Sequence, residues 1–168
     1  MGHNVRLFAG SARVLAAYRA LAPMARTFAL TSGAGVLVLP LDDDLHDTLH
    51  RAYGTGEWSE GPPLLSSGDM AFAAKASERG PLAYLETSYF GGAGHQTAVV
   101  WQGGEVLMGP MVLRRADQAE RPAGLWPINA ALRQLGVGAH EGEDEFQSFG
   151  LGFYRSNEDI WSMAAQRH

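Results

Sequence analysis

The chain has 168 residues, of which 46% are hydrophobic, with a formal charge of −5 and no cysteine. That length suits one globular domain spanning residues 1–168 with a full apolar core. The missing cysteine excludes disulfides, thiolate metal sites, iron–sulfur clusters and cysteine nucleophiles. The acidic balance, with Lys75 as the single lysine, argues against tracking a phosphate backbone, so no nucleic-acid partner is expected.

The opening MGHNVRLFAG lacks the charged start and apolar segment of a secretory signal. No apolar run approaches the ~20 residues a membrane span needs. A cytoplasmic location is therefore expected, with no membrane partner. Asn4 to Ala9 reads as a strand. Ser11 then N-caps a helix to about Leu21, whose Val14, Leu15, Tyr18 and Leu21 form one apolar stripe before Pro23. Thr27 to Thr31 and Gly35 to Leu41 read as two further strands. Asp42-Asp43-Asp44 opens a helix to about Tyr53, because acidic residues suit the positive end of the helix dipole, and Gly54 stops it. Thr55 to Leu65 has no period and carries Pro62-Pro63, so it is a loop. Ser67 is the expected cap of a third helix reaching Arg79, with Met70, Ala73, Ala74 and Ser77 inward.

Pro81 to Arg115 is the most strongly patterned stretch. Leu82–Phe90, Gln96–Gln102 and Glu105–Leu113 are apolar runs rich in aromatic and β-branched residues, separated by two glycine clusters. This pattern predicts a three-stranded antiparallel meander, with Gly103-Gly104 as a two-residue hairpin turn. Pro110 lacks an N–H, which places the last strand at a sheet edge or at a bulge near Gly109-Pro110. Ala116 to Gly124 reads as a polar loop. Pro127 then starts a helix carrying Ile128, Ala131, Leu132 and Leu135. Glu145 to Phe149 suits a helical turn, and Ser156 with Asp159 resembles a capping box opening a last helix. Contiguous hairpins rather than regular βα alternation give the fold class: α+β, a mainly antiparallel sheet of about five or six strands with helices packed on it.

Several groupings could carry chemistry. His46 and His50, in HDTLH, sit four apart on one helical face, the spacing a zinc ion can bridge, with Asp43 near by; the competing reading is a solvated helix edge. Glu86 is a carboxylate inside an apolar strand, so it is either paired or functional. With Tyr89, His95 and Gln96 it brackets Gly91-Gly92-Ala93-Gly94, and these four form a candidate ligand site for a small-ligand enzyme or sensor. Ser88, His95 and Glu86 can also be drawn as a hydrolytic triad, although no GxSxG elbow is present. Neither phosphate-loop glycine pattern occurs, so GGAG reads first as a plain turn, and no cofactor is implied. Trp58 in its loop is either a packed lid or a partner anchor. The acidic run Glu141, Glu143, Asp144 and Glu145 is a candidate contact for a basic partner.

ETSYFGGAGHQTAVVW, together with INAALRQLGV and DEFQSFGLGFYRS, resembles small bacterial α+β proteins that share an E-x-x-x-F/Y-F-G-G-x-G-x-Q-x-A strand-turn-strand over the second half of the chain. These are similar in style to immunity proteins of bacterial toxin systems. That resemblance implies a binder that neutralises a cognate protein, such as a basic toxin domain, and not an enzyme. It transfers no catalytic residue.

Overall fold

A computed structural model describes residues 2–31, 35–54 and 61–166, without the side chains of 163–166. Strand β1, Arg6–Gly10, is buried along nearly its whole length, which fits its place inside the sheet. Helix α1, Ala12–Leu21, follows, and Ser11 caps it by accepting the Val14 N–H. Strand β2 is Leu37–Pro40. Helix α2 covers Asp43–Tyr53; the Asp42 carboxylate accepts the Leu45 N–H and Gly54 ends it. Helix α3 spans Ser67–Ala76 and runs into a 3-10 turn at Ser77–Arg79. The meander is β3, Leu82–Phe90, β4, Ala93–Gln102, and β5, Glu105–Arg114. Four further α-helices follow: α4 (Arg115–Gln118), α5 (Pro127–Gln134), α6 (Glu145–Phe149) and α7 (Asn157–Gln166).

The five strands form one antiparallel sheet in the order β2-β1-β3-β4-β5. Because side chains alternate along a strand, the sheet has two apolar faces. Phe8, Leu39, Tyr84, Val99 and Trp101 pack beneath α1, α2 and α3. Leu7, Val38, Leu85, Ala98 and Val100 pack beneath α5, α6 and α7. The result is an α+β fold with helices on both faces of an antiparallel sheet. That geometry separates neighbouring residues of one strand onto opposite sides of the molecule, which decides how the site is built.

Three local expectations change. Thr27 to Thr31 is not a strand; it meets β2 at one bridge, Phe28 with Val38, through bonds of 2.9 and 2.8 Å. Toward β2's end the ladder cannot continue, because the next hydrogen-bonded pair on that side, Arg26 with Pro40, would need an N–H that proline lacks. Helix α3 is capped by Ser66, not Ser67, because Asp69 completes a reciprocal capping box with it. The inward face of α3 carries Phe72, Ala73 and Ala76, while Met70 and Ala74 are half-buried. The polar stretch after the meander contains α4 and a 3-10 turn at Ala123–Leu125.

Of the GGAG cluster, only Gly91 and Gly92 form the turn, while Ala93 and Gly94 enter β4. Gly94 has a φ of +128°, and a Cβ there would lie 1.9 Å from the Ser88 carbonyl oxygen, so no other residue fits. The β4–β5 ladder is bulged between Ala98 and Trp101, opposite Gly109-Pro110, as the proline predicts.

Candidate functional site

The four residues bracketing the glycine turn divide between the two faces of the sheet. Glu86 and His95 point toward the α1–α3 side; Tyr89 and Gln96 point toward the α5–α6 side. In β3, positions 86 and 89 have opposite parity, and in β4 positions 95 and 96 are adjacent. Strand alternation therefore makes two sites of the single one expected.

On the first face Glu86 is 1% exposed. Its Oε1 accepts from the Tyr84 hydroxyl at 2.6 Å and the Leu64 N–H at 2.8 Å, and its Oε2 lies 3.0 Å from His95 Nε2. Arg6 reinforces the cluster by donating from Nε to the Tyr84 hydroxyl and from a terminal nitrogen to the Leu64 carbonyl. Burial and the neighbouring Glu86 carboxylate raise the Tyr84 phenol well above its usual value, so it stays a donor. The arrangement pins the chain around Leu64 onto the sheet. Ser88 is next to His95 across the ladder, yet His95 bonds Glu86. The residue that could attack is outside that bond, and the cluster reads as a clamp.

On the second face, β3, β4, α4, α5 and α6 enclose a cavity of about 270 Å³, lined by His3, Tyr89, Gln96, Gln118, Trp126 and Phe146 among others. Gln96 is buried, and its amide is oriented by the Ile128 N–H donating to Oε1 at 3.0 Å. Its Nε2 then donates to the Tyr89 hydroxyl at 3.2 Å, and Gln118 donates to the same oxygen. Desolvation pushes the Tyr89 phenol up from its ordinary value. Sequence reasoning missed the walls of this cavity, since Trp126, Asn129 and Phe146 reach it only through packing of the last helices.

His3 closes one end of that cavity. Its Nε2–H donates to the Leu151 carbonyl at 3.0 Å, which leaves Nδ1 of the neutral tautomer to accept from the Thr87 hydroxyl at 2.7 Å, while that hydroxyl accepts from the Val5 N–H at 3.0 Å. This assignment makes the imidazole neutral, in keeping with a pKa lowered by burial. The folded form resists protonation while the unfolded chain takes up a proton below about pH 6.5. His3's stabilisation is thus complete above that pH and is lost as pH falls through the depressed folded value. We expect the melting temperature to drop on acidification from about pH 7 to about pH 5.5, and His3→Gln to flatten that slope. An unchanged slope in thermal melts of the variant would contradict the assignment.

The other candidates are placed as follows. His46 Nδ1 lies 2.9 Å from the buried Asp69 carboxylate, while the rings of His46 and His50 stack 6.1 Å apart. Among the described residues, no three His, Asp or Glu side chains are grouped so as to hold a metal ion. Trp58 lies outside the described residues. Of the acidic run, Glu141 and Glu143 are exposed. Asp144 accepts the Gln147 N–H at 2.9 Å as the cap of α6. Glu145 is buried, 3.0 Å from Arg133, so it turns inward and does not extend the surface run. Its position one residue inside a capped helix, on the face toward α5, is the reason. Comparison with protein families, with curated proteins and with solved structures gives no match, so the functional reading rests on this geometry.

Proposed function

We propose that this chain is a cytoplasmic protein-binding protein that neutralises a cognate bacterial toxin, docking through the outer side of β5. The observation that carries the reading is the composition of that edge. Among the described residues β5 pairs with β4 alone, and Val106, Leu107 and Val112 along it are 47%, 52% and 39% exposed. Apolar side chains on an unpaired edge invite a partner and are normally avoided. Pro110 and the adjacent bulge interrupt the strand's free hydrogen-bonding row, so indiscriminate strand pairing is blocked while the side chains stay available. A formal charge of −5 favours a basic partner by long-range attraction, and exposed Glu141 and Glu143 add to it. The second half of the chain resembles small bacterial α+β proteins that are similar in style to immunity proteins, and that resemblance implies the same kind of partner.

The test is affinity capture from the native host with the full chain as bait, followed by expression of the captured protein. The reading expects a stoichiometric basic partner that arrests growth alone and is silenced by co-expression of the wild-type chain. Val106→Asp/Leu107→Asp, checked for an unchanged melting temperature, should lose both capture and protection. A captured partner that is harmless alone removes the toxin reading. Binding that is undiminished in the folded double variant removes β5 as the docking edge.

A further inference from the structure

The cavity beneath α5 and α6 is separate from the β5 edge, and its hydrogen-bond inventory is unbalanced. The Tyr89 oxygen already accepts from Gln96 and Gln118. With the Gln118 amide in this orientation, the phenol's own O–H proton is left to be donated into the cavity. The Gln96 amide cannot turn to take that proton, because the Ile128 N–H holds its oxygen. The raised phenol pKa keeps this donor protonated at neutral pH. Arg115 also lines the cavity, is exposed, and has no hydrogen bond or ion pair among the described residues.

The remaining polar groups are already engaged. Asn129 donates to the Ala123 carbonyl and to Asp144 and accepts the Phe146 N–H. Asp144 accepts from the α6 N-terminus on one oxygen and from Asn129 on the other, which tempers its negative charge. Trp126 gives its indole N–H to the Arg121 carbonyl, so toward the cavity it offers ring surface. Phe146, held against the His3 ring at 5.4 Å, offers another such wall. What the cavity leaves unused is one neutral O–H donor, one guanidinium and aromatic surface.

We propose that this cavity binds a small monocarboxylate with a flat apolar body, its carboxylate taken by Tyr89 O–H and Arg115 and its body set against Trp126 and Phe146. A guanidinium and a hydroxyl donor are the groups a carboxylate needs, and hydrogen bonds to charged acceptors are the stronger kind. Size limits the body. A cavity of about 270 Å³ is just below the ~300–1,000 Å³ common for drug-sized ligands, so it suits a single ring and excludes a nucleotide. The site corrects the grouping expected around the glycine turn: Tyr89 and Gln96 belong to it, while Glu86 and His95 serve the opposite face.

The test uses the full chain in a titration against benzoate, phenylacetate and cinnamate, each paired with its neutral amide, followed by amide and indole N–H chemical shifts. The expected result is that at least one acid shifts the Trp126 indole and Gln96 side-chain signals and binds about tenfold tighter than its amide, equivalent to roughly 1.4 kcal/mol. Arg115→Met and Tyr89→Phe should each weaken the acid by about tenfold, the range expected for losing one charge-assisted bond. Arg114→Met removes the neighbouring guanidinium, which faces the opposite side beside His95, and should leave binding unchanged. If no acid moves those signals at millimolar concentration, or if acid and amide bind alike, the assignment is wrong. Equal losses from Arg114→Met and Arg115→Met would reduce it to nonspecific attraction and also overturn it.

Discussion

Glu86→Ala should destabilise the protein by about 3–4 kcal/mol, read as a lower denaturation midpoint in urea with an unchanged slope. Glu86 is 1% exposed and satisfies three donors: the Tyr84 hydroxyl, the Leu64 N–H and His95 Nε2. Removing it leaves the Leu64 N–H and the His95 ring without their acceptor, and each stranded polar group costs ~1–3 kcal/mol. Tyr84 suffers less, because its hydroxyl still accepts from Arg6. Glu86→Gln keeps the shape and one oxygen acceptor, so its cost should be about half as large. Hydrogen exchange locates the effect: the Leu64 amide should lose protection in Glu86→Ala well before the β3–β4 ladder does. If Glu86→Ala melts within ~0.5 kcal/mol of wild type, the carboxylate is no clamp and an exposed role for it must be sought.

The same residue shows what could be read before the structure. A carboxylate in an apolar strand announces that it is paired, and Tyr84, two residues earlier, shares its face by simple alternation. His95 is a diagonal neighbour across a hairpin whose glycine turn was legible, so this pairing follows once the register is known. Leu64 does not follow, since it arrives from a segment with no period of its own. The cap at Ser11, the acidic opening at Asp42-Asp43-Asp44 and the stop at Gly54 were legible for the same local reason: a side chain or a glycine acts on its own helix end. The cap of α3 falls at Ser66, one residue before Ser67, because only Ser66 has a carboxylate, Asp69, three residues on to close a reciprocal box. Period two puts Glu86 and Tyr89, and likewise His95 and Gln96, on opposite faces, so nearness to one glycine turn does not make them one site. The cavity itself required α4, α5 and α6 to fold back onto β3 and β4. No local pattern encodes that return, although Pro127 and the Ile128 stripe predicted the helix that makes it.

Asn129→Ala should cost about 2–3 kcal/mol, the second largest effect expected from a single polar side chain here. Asn129 is 2% exposed, and its small amide joins three pieces of backbone that have no strand or helix ladder in common. Its Nδ2 donates to the Ala123 carbonyl at 2.9 Å and to the Asp144 carboxylate at 3.3 Å, and its Oδ1 accepts the Phe146 N–H at 2.8 Å. The Ala123 turn, α5 and the start of α6 are thus held by one residue. Alanine leaves the Phe146 N–H unpaired near a helix start and frees the cap residue Asp144 from its neighbour. Asn129→Asp is the sharper probe because it has nearly the same shape. It keeps the acceptor for Phe146, discards both donors, and sets a second carboxylate beside Asp144. At neutral pH it should be at least as destabilising as alanine, and acidification toward about pH 4 should narrow its deficit relative to wild type as the paired carboxylates take up protons. If aspartate matched wild type at neutral pH, the amide donors would carry no weight, and the closure of α5 and α6 over the sheet would rest on the Phe146 bond, the Arg133–Glu145 pair and apolar packing such as that of Ile128, Leu132 and Phe149.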